Sequence, residues 1–381
     1  MSVAGRSWPV RVAIAGGGTG GHTAPAVALA EALRRLSPPA EVLMFSGSRE
    51  ADARLPREAG LDSVLLDAPR MASGLGLPIF GARFAGAVTE ARRELVRFGA
   101  DVVVGTGGYA SAPPALAARL LGMPVVLLEQ NAVPGRANRL LARFAAEVHT
   151  QFEESRSAFP PSARVLATGN PVRASVLDAA RRRARRNDGR FTLLVIGGSQ
   201  GSRSVNNALA DALDRFAAAM PQMCVLHCSG PRDKDAARAR FLSSGLAGKV
   251  WGFCPTMDEL YARADLAVSR AGATTISELA ACGVPAILVP YPHASDDHQS
   301  ANARVLERAG ACEIVRDSEL NGRSVARRVL DLAGDPVRRA RLSAAIRAFA
   351  RPRAAEAIAR RVQAVAWRQD RRRQADIRRV A

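Results

Sequence analysis

The stretch VRVAIAGGGTGGHTAPAVALAEAL, residues 10–33, decides the fold of the first half of this 381-residue chain. Its apolar start, residues 10–15, predicts a buried strand, and the glycine-rich turn at residues 16–21 leads to a helix predicted over residues 25–36. A second apolar run, residues 41–45, predicts the next strand. This order of strand, glycine turn, helix and strand is typical of a parallel α/β sheet with right-handed crossovers.

The second half of the chain repeats this pattern. Residues 191–196 predict a strand, GGSQG at residues 197–201 provides the turn, and residues 205–216 predict the helix. We therefore expect an α/β protein of two Rossmann-like domains that face each other across an interdomain cleft. Ligands of such domains bind at the carboxyl ends of the parallel strands, where the glycine turns lie.

A polar, arginine-rich stretch at residues 181–190 indicates that the domain boundary lies near residues 170–190. The predicted domains span residues 1–172 and residues 173–350. A basic tail, residues 351–381, follows them and predicts a helix. We weigh a solvated helix against packing on the first domain or contact with a membrane surface or partner.

The composition is strongly basic, with 54 Lys and Arg against 35 Asp and Glu and a net charge of +19. Such a surface attracts nucleic acid, anionic lipid headgroups or phosphorylated substrates, although a coding bias toward arginine would produce the same excess. We expect no signal peptide, because only four apolar residues follow Arg11, and no apolar run reaches the roughly 20 residues of a membrane span. The protein is expected to be soluble or peripherally attached.

The five cysteines carry no clear metal motif. Cys224, His227 and Cys228 are close enough in sequence to suggest a metal site, but no second ligand pair follows at zinc spacing. Buried thiols in a reducing cytosol are the preferred interpretation. No D-x-D motif occurs, so no metal cofactor is predicted.

The first glycine turn, GGGTGG, can be read as the dinucleotide fingerprint G-x-G-x-x-G. A protein that binds NAD carries an acidic residue at the end of the second strand, whereas this strand ends in Ser46 and Gly47. The turn therefore favours a diphosphate or sugar diphosphate at a helix N-terminus. His22 follows it, either as a general base or as a capping or packing residue.

The second domain supplies the carboxylate that the first domain lacks. Ser199 lies in the second glycine turn, and the hydroxyls of Thr274 and Thr275 precede a helix that carries Glu278. Helix-start amides and hydroxyls suit a diphosphate, and one carboxylate accepts hydrogen bonds from both hydroxyls of a ribose. We predict that the nucleotide binds this domain. Arg173 would help to stabilise the leaving diphosphate without a metal ion.

Six stretches together resemble glycosyltransferase family 28. They read GGGTGGHTAPAVALAEAL (residues 16–33), GTGGYASAP (105–113), EQNAVPGRANRLLA (129–142), TGNPVR (168–173), GGSQGSRSVN (197–206) and SRAGATTISELAACGVPAILVPYPHASDDHQSANA (269–303). The resemblance implies a GT-B fold and inverting transfer of N-acetylglucosamine from UDP-GlcNAc. The acceptor it implies is the 4-hydroxyl of a lipid-linked muramyl pentapeptide, in peptidoglycan synthesis.

The resemblance also implies the roles of individual residues. His22 is the candidate base and Glu278 holds the ribose, while the backbone near Phe253 and Cys254 meets the uracil. The remaining donor residues would be Thr19, Gly20, Gly21, Asn131, Arg173, Ser199, Ala273, Thr274, Thr275 and Gln299. The acceptor diphosphate would meet Gly18, Gly105, Gly107, Gly108 and Tyr109.

The implied partners are UDP-GlcNAc, the lipid-linked acceptor, an anionic membrane surface, and other proteins of cell-wall synthesis and division. The implied location is the cytoplasmic face of the inner membrane, and nucleic acid is not expected.

An apolar stretch with nearby arginines would touch the membrane or else pack in the core; its residues are Leu75, Leu77, Ile79, Phe80 and Phe84, beside Arg83, Arg92 and Arg93. The alternatives are a UDP-GlcNAc 2-epimerase of the same fold and a basic nucleic-acid-binding protein.

Overall fold

The computed structural model describes residues 9–17, 20–47, 50–69, 77–184 and 189–380. Over these residues the chain forms two compact units. The first comprises Met1–Gln130, Pro134–Arg173 and Arg353–Ala381, and the second comprises Asn131–Val133 and Ala174–Pro352. Each unit is a parallel sheet with flanking helices, so the predicted pair of Rossmann-like α/β domains is confirmed.

The first unit contains, among its described residues, seven parallel strands: β1 (Arg11–Ala15), β2 (Glu41–Gly47), β3 (Asp62–Leu66), β4 (Val102–Gly105), β5 (Val125–Glu129), β6 (Glu147–Thr150) and β7 (Val165–Leu166). Their order in the sheet is β3-β2-β1-β4-β5-β6-β7. The helices of this unit are α1 (Gly20–Arg34), α2 (Glu50–Glu58), α3 (Leu77–Phe98), α4 (Ala112–Leu120), α5 (Arg136–Leu141) and α14 (Ala354–Val380). Helix α1 begins earlier than its apolar periodicity predicts, because its first turn, Gly20-Gly21-His22-Thr23, contains no apolar side chain.

The second unit contains six parallel strands among its described residues: β8 (Thr192–Ile196), β9 (Cys224–Cys228), β10 (Ala247–Trp251), β11 (Leu266–Ser269), β12 (Ala286–Leu288) and β13 (Glu313–Ile314). Their order is β10-β9-β8-β11-β12-β13. Its helices are α6 (Ala174–Ala184), α7 (Arg203–Ala219), α8 (Lys234–Ser243), α9 (Met257–Arg263), α10 (Ala273–Cys282), α11 (His298–Arg308), α12 (Gly322–Gly334) and α13 (Pro336–Arg347).

Alternation along β1 places apolar side chains on both faces of the first sheet. Val12 and Ile14 belong to a core that also contains Ile358 and Val362 of α14, whereas Ala13 and Ala15 belong to the core on the opposite face. A central strand that is buried on both sides reads as a continuous apolar run, which is why residues 12–15 show no polar alternation. The first half of the basic tail is therefore part of the core rather than a solvated helix.

A buried carboxylate fastens this helix to the sheet. Glu147 of β6 is 1 % exposed and accepts two hydrogen bonds from Arg361, at 2.7 and 2.8 Å, with Arg368 at 3.3 Å. Its neighbour His149 lies 3.4 Å away. Burial alone would raise the pKa of Glu147, but the neighbouring His149 and the hydrogen bonds from Arg361 outweigh it and lower that pKa to about 2.

Replacing Glu147 with glutamine is expected to destabilise the protein by about 1–3 kcal/mol, because the variant loses charge-assisted bonds in a buried place. Since the folded pKa lies below the unfolded value, this stabilisation is present above about pH 4.5 and declines as the pH falls toward 2. Urea denaturation measures the effect. The exposed pair Glu356–Arg360 on the same helix is the control, and Glu356→Gln should change stability by less than about 0.5 kcal/mol. Equal losses in the two variants would contradict this account.

The domain prediction places residues 131–133 in the first domain. Their hydrogen bonds, however, are made with the second unit. Asn302 of α11, which is 0 % exposed, accepts a hydrogen bond from Ala132 N and donates one to Asn131 Oδ1. It also donates to the carbonyl of Ala271. These bonds attach residues 131 and 132 to the second unit, in which Asn131–Val133 is grouped.

Candidate functional site

In the first unit the predicted base is held in a defined orientation. His22 is the third residue of α1, and its Nδ1 lies 2.9 Å from the carbonyl oxygen of Thr106 and 3.1 Å from Gln130 Oε1. A carbonyl oxygen only accepts, so Nδ1 carries the proton. In the neutral imidazole, Nε2 then carries the lone pair that a general base needs. Gln130 is buried and was not predicted as a site residue.

Two predicted acceptor glycines make room for this imidazole. Gly107 and Gly108 both have positive φ, 92° and 75°. A Cβ atom on Gly107 would lie 3.0 Å from His22 Cε1, and one on Gly108 would lie 3.1 Å from His22 Cδ2 and 2.7 Å from the oxygen of Gly17. The structure therefore gives these two glycines a packing role, whether or not a phosphate also binds there.

Replacing Gly108 with alanine is expected to lower by about 10²-fold any turnover that depends on His22, because the new methyl group displaces the His22 ring or the glycine turn. Gly122 is a matched control, since it has a similar φ of 65° but open space where a Cβ would lie. Gly122→Ala should lose about 1–2 kcal/mol from backbone strain, and Gly108→Ala about 1–3 kcal/mol, because the ψ of 171° at Gly108 lies in a region that is almost exclusive to glycine. Thermal unfolding and initial rates measure the two effects, and equal rates for the two variants would refute the packing role.

The other predicted residues of the first unit have different settings. Gly105 ends β4 and is buried, and a Cβ on it would lie 3.1 Å from Leu127 Cδ2, so it serves packing in the strand. Tyr109 begins a short 3-10 helix and is half-buried against the core. Gly20 and Gly21 form the first turn of α1. Gly18 and Thr19 lie outside the described residues, and Arg173 is the last residue before α6.

In the second unit the glycine turn after β8 packs closely against the neighbouring strand end. Gly201 has a φ of 77°, and a Cβ on it would lie 2.2 Å from the oxygen of Ser229, which follows β9. Ser202 then caps α7 by accepting from Val205 N. Ser199 is exposed in this turn.

The predicted ribose carboxylate is buried and held by a tyrosine. Glu278 of α10 is 7 % exposed, and its Oε2 accepts a hydrogen bond of 2.8 Å from the hydroxyl of Tyr261 on α9. Ala273, Thr274 and Thr275 form the first turn of α10, with both threonines half-buried. Sequence reasoning did not find Tyr261, because the sequence alone does not pair residues 17 positions apart on different helices.

Arg270 joins the two loops of this site and was also missed. Its guanidinium is buried and donates to Ser202 Oγ at 3.0 Å, Ser204 Oγ at 2.7 Å and Asp317 at 2.6 Å. The first two contacts tie the loop before α10 to the N-terminus of α7. The sequence did contain one signal, because a charged residue directly follows an apolar strand. Burying such a charge is costly unless it is paired.

The structure thus brings several predicted donor residues to one edge of the second sheet. The turn containing Ser199 is linked through Arg270 to the loop before α10, and Asn302 attaches Asn131 to the same loop. Gln299 is close to the next loop, where its Oε1 accepts from Tyr291 N at 2.9 Å. All these loops follow the carboxyl ends of parallel strands, where ligands of such sheets bind.

The metal alternative at Cys224, His227 and Cys228 is not supported. His227 is buried and its Nε2 bonds Asn206 Oδ1 at 2.9 Å, while burial lowers its pKa to about 4. Alternation along β9 puts His227 on the face opposite both cysteines. In the parts of the chain that the structure describes, no cluster of three His, Cys, Asp or Glu side chains could hold a metal ion.

Family models match both units. The N-terminal domain of glycosyltransferase family 28 matches residues 12–150, and the C-terminal domain of the same family matches residues 192–358. The chain belongs to glycosyltransferase family 28. The sequence resemblance to this family is therefore confirmed. The prediction that the chain is an enzyme, a glycosyltransferase, is confirmed as well.

Curated relatives share most of their length with the chain. A protein of Myxococcus xanthus named UDP-N-acetylglucosamine--N-acetylmuramyl-(pentapeptide) pyrophosphoryl-undecaprenol N-acetylglucosamine transferase is 40 % identical over 352 residues, which cover 92 % of this chain and 91 % of the relative. A protein of the same name from Geobacter sulfurreducens is 38 % identical, with coverages of 92 % and 97 %.

Solved structures agree on the fold. MurG of Acinetobacter baumannii has a TM-score of 0.72 at 29 % identity, covering 93 % of this chain and 99 % of that one. UDP-GlcNAc 2-epimerase of Neisseria meningitidis bound to UDP-GlcNAc has a TM-score of 0.66 at 15 % identity, covering 93 % and 100 %. The second likeness concerns the fold alone. The sequence relatives therefore favour the transferase over the epimerase.

Proposed function

We propose that this chain transfers N-acetylglucosamine from UDP-GlcNAc to the 4-hydroxyl of a muramyl pentapeptide carried on undecaprenyl pyrophosphate. The observation that carries this proposal is the 40 % identity over 92 % of the chain to a transferase named for that reaction. Two further features support it. Each unit has its own glycine turn at the carboxyl edge of a parallel sheet, and the second has a buried carboxylate, Glu278, on the helix that follows such an edge.

The donor is proposed to bind the second unit. Glu278, oriented by Tyr261, would accept both ribose hydroxyls, and Ser199, Ala273, Thr274 and Thr275 would surround the diphosphate. The amides at the start of α10 would stabilise the charge that grows on UDP as it leaves. Gln299 and Asn131 would meet the sugar or ribose, with Thr19, Gly20, Gly21 and Arg173 completing the site.

The acceptor is proposed to bind the first unit. Its diphosphate would meet the glycine turns, at Gly18, Gly105, Gly107, Gly108 and Tyr109. His22 Nε2 would take the proton from the muramyl 4-hydroxyl, since Nδ1 already donates to Thr106. The oxygen would then attack the anomeric carbon opposite UDP, which inverts that centre and leaves a β-1,4 bond. No metal ion is needed in this scheme.

The test is incubation of the protein with labelled UDP-GlcNAc and a short-chain lipid-linked muramyl pentapeptide. We expect a disaccharide-lipid product, with UDP released only when the acceptor is present. Release of UDP without acceptor, or formation of the 2-epimer, would favour the epimerase instead. Absence of both product and UDP binding would overturn the proposal.

A lipid-linked acceptor requires contact with a membrane surface, and we propose the start of α3 for it. None of the helices over the described residues is long and apolar enough to span a bilayer. Ile79 is 66 % exposed, and Phe80 and Phe84 stack with ring centroids 5.6 Å apart on the same helix. Leu77 opens α3, and Leu75 lies outside the described residues. Arg83 pairs with Asp67, while Arg92 and Arg93 are exposed.

Replacing Ile79 with aspartate is expected to weaken binding to vesicles containing phosphatidylglycerol by about tenfold, because an apolar side chain leaves the interface and a like charge meets the lipid. Val96 is a matched control, since it is 59 % exposed near the other end of α3. Val96→Asp should bind as the natural chain does. Vesicle sedimentation measures both, and binding that ignores lipid charge would contradict the electrostatic part. We also propose that the chain acts at the cytoplasmic face of the inner membrane. There it would contact other proteins of wall synthesis, cell shape and division.

A further inference from the structure

One buried arginine bridges the carboxyl ends of four neighbouring strands in the second sheet. Arg270 directly follows β11 and is 7 % exposed. Strands β8, β11, β12 and β13 are consecutive in the order of that sheet. The guanidinium donates hydrogen bonds to groups in the segments that follow the other three strands: Ser202 and Ser204 after β8, the carbonyls of Val289 and Pro290 after β12, and Asp317 after β13.

Each nitrogen of this guanidinium has a defined acceptor. Nε donates to Ser202 Oγ at 3.0 Å, and Nη2 donates to Ser204 Oγ at 2.7 Å. Nη1 lies 2.6 Å from Asp317 Oδ1 and 3.2 Å from both carbonyl oxygens that follow β12. The ring of Tyr291 lies against the guanidinium, with its centroid 5.4 Å from Arg270 Cζ. Protein groups thus surround the edges and one face of this cation, and we call Arg270 with its hydrogen-bond acceptors the arginine clamp.

Asp317 is the anionic member of the arginine clamp. It begins the short 3-10 helix Asp317–Glu319, and its side chain is 24 % exposed. Its Oδ1 accepts from Arg270 Nη1 and also from Ser204 Oγ, at 2.8 Å. A buried guanidinium is costly without a counter-charge, and a charge-assisted hydrogen bond gives such a pair a defined geometry. Removal of this carboxylate should therefore loosen the whole clamp rather than one contact.

The segments that the clamp joins carry residues of the proposed donor site. Ser199 lies in the glycine turn just before the clamped start of α7, and α10 begins shortly after Arg270. The loop after β12 continues to Tyr291, whose backbone N–H donates to Gln299 Oε1. The spacing between the proposed diphosphate groups therefore depends on the clamp.

The proposed ribose carboxylate has a different support. Glu278 accepts its hydrogen bond from Tyr261 of α9, and neither residue belongs to the arginine clamp. A disturbed clamp should therefore affect the binding of phosphate groups more than the binding of a ribose.

We propose that Asp317 is a positioning residue for the diphosphate of the donor. By holding the Arg270 guanidinium in place, it fixes the glycine turn after β8 relative to the start of α10, where the diphosphate oxygens would bind. Asp317 acts through Arg270 and does not itself contact the donor. This inference rests on the proposed function, because it takes a nucleoside diphosphate as the ligand of the second unit.

The experiment compares the affinities of the full chain for UDP, by calorimetry, and for uridine, by ligand-observed NMR. Asp317→Ala should bind UDP about tenfold more weakly than the natural chain, because the loops that meet the diphosphate are displaced from one another. Its affinity for uridine, which has the ribose but no phosphate, should change by less than about twofold. The donor KM should rise by about tenfold as well, with kcat at saturating donor changed by less than about threefold. A smaller fraction of folded protein would not produce this selective loss of phosphate binding.

Further variants test the chemical basis of the effect. Asp317→Asn keeps an oxygen that accepts from Arg270 but loses the charge, so its UDP affinity should lie between those of the natural chain and Asp317→Ala. Asp214→Ala is the matched control, because Asp214 also bonds an arginine, Arg240, at 2.6 Å, while its side chain is 72 % exposed on α7. It should bind UDP as the natural chain does. Equal losses in the two alanine variants would contradict the positioning role.

A second route covers the case in which Asp317→Ala does not fold. Ser204→Ala removes the acceptor of Nη2 and keeps the ion pair between Arg270 and Asp317. It should weaken UDP binding by about threefold and leave uridine binding unchanged. Unchanged affinity for both ligands in this variant would overturn the proposal.

Hydrogen exchange without ligand separates a failure of this inference from a failure of the proposed function. In Asp317→Ala the amides of residues 199–206 and 289–299 should exchange faster than in the natural chain, whereas in Asp214→Ala they should not. If the natural chain binds no UDP, the proposed function fails and the positioning role fails with it, while the exchange rates still show whether the clamp holds these loops. If the natural chain binds UDP and Asp317→Ala keeps the natural ratio of UDP to uridine affinity, only the positioning role is overturned.

Discussion

Alanine at Glu278 should reduce kcat/KM for UDP-GlcNAc by about 10²-fold or more, with much of the loss in the KM of the donor. In the proposed complex the carboxylate makes two charge-assisted hydrogen bonds to the ribose, each typically about 1.5–3 kcal/mol. The side chain is buried and oriented by Tyr261, so water cannot readily replace it. Steady-state kinetics with varied donor, together with calorimetry of UDP, measure the change.

Two variants separate this role from a general effect of lost charge. Tyr261→Phe removes one hydrogen bond to the carboxylate and should raise the donor KM less than the alanine variant does, with little effect on kcat. Glu307 is an exposed carboxylate on α11 of the same unit, and Glu307→Ala should leave kinetics unchanged. A Glu278→Ala enzyme with a near-normal donor KM would remove the ribose role.

Alanine at His22 should lower kcat by about 10²–10⁴-fold, which is the usual contribution of a general base. The affinity for UDP should be unchanged, because the residues proposed to hold its ribose and diphosphate on α10, Thr274, Thr275 and Glu278, lie in the second unit, whereas His22 lies in the first. This split between kcat and UDP affinity is the opposite of the one expected for Glu278. Single-turnover sugar transfer and calorimetry measure the two quantities.

The orientation of the imidazole gives a graded second variant. Gln130 supplies one of the two acceptors near Nδ1, so Gln130→Ala should reduce kcat by less than His22→Ala and leave UDP affinity unchanged. Thermal unfolding checks that both proteins are folded. A His22→Ala enzyme that turns over at the natural rate would show that the residue only packs against Gly107 and Gly108.

Local patterns predict much of the fold. The apolar runs at residues 10–15 and 191–196 and the glycine turns after them indicate where each sheet begins, because strand periodicity and the approach of backbone to backbone are properties of neighbouring residues. The apolar periodicity over residues 25–36 places the start of the first helix too late, because its glycine-rich first turn has no apolar side chains. The packing of the tail is harder to predict. Nothing in its own sequence indicates that Ile358 and Val362 belong to the core on one face of the first sheet.

The sequence by itself determined the α/β class, the two glycine turns and the candidate residues His22 and Glu278, since each depends on spacing along the chain. Only the tertiary structure decided what holds those residues: Thr106 and Gln130 for the histidine, and Tyr261 for the carboxylate. These partners are between 17 and 108 positions apart, and a parallel sheet brings together strand ends that are remote in sequence.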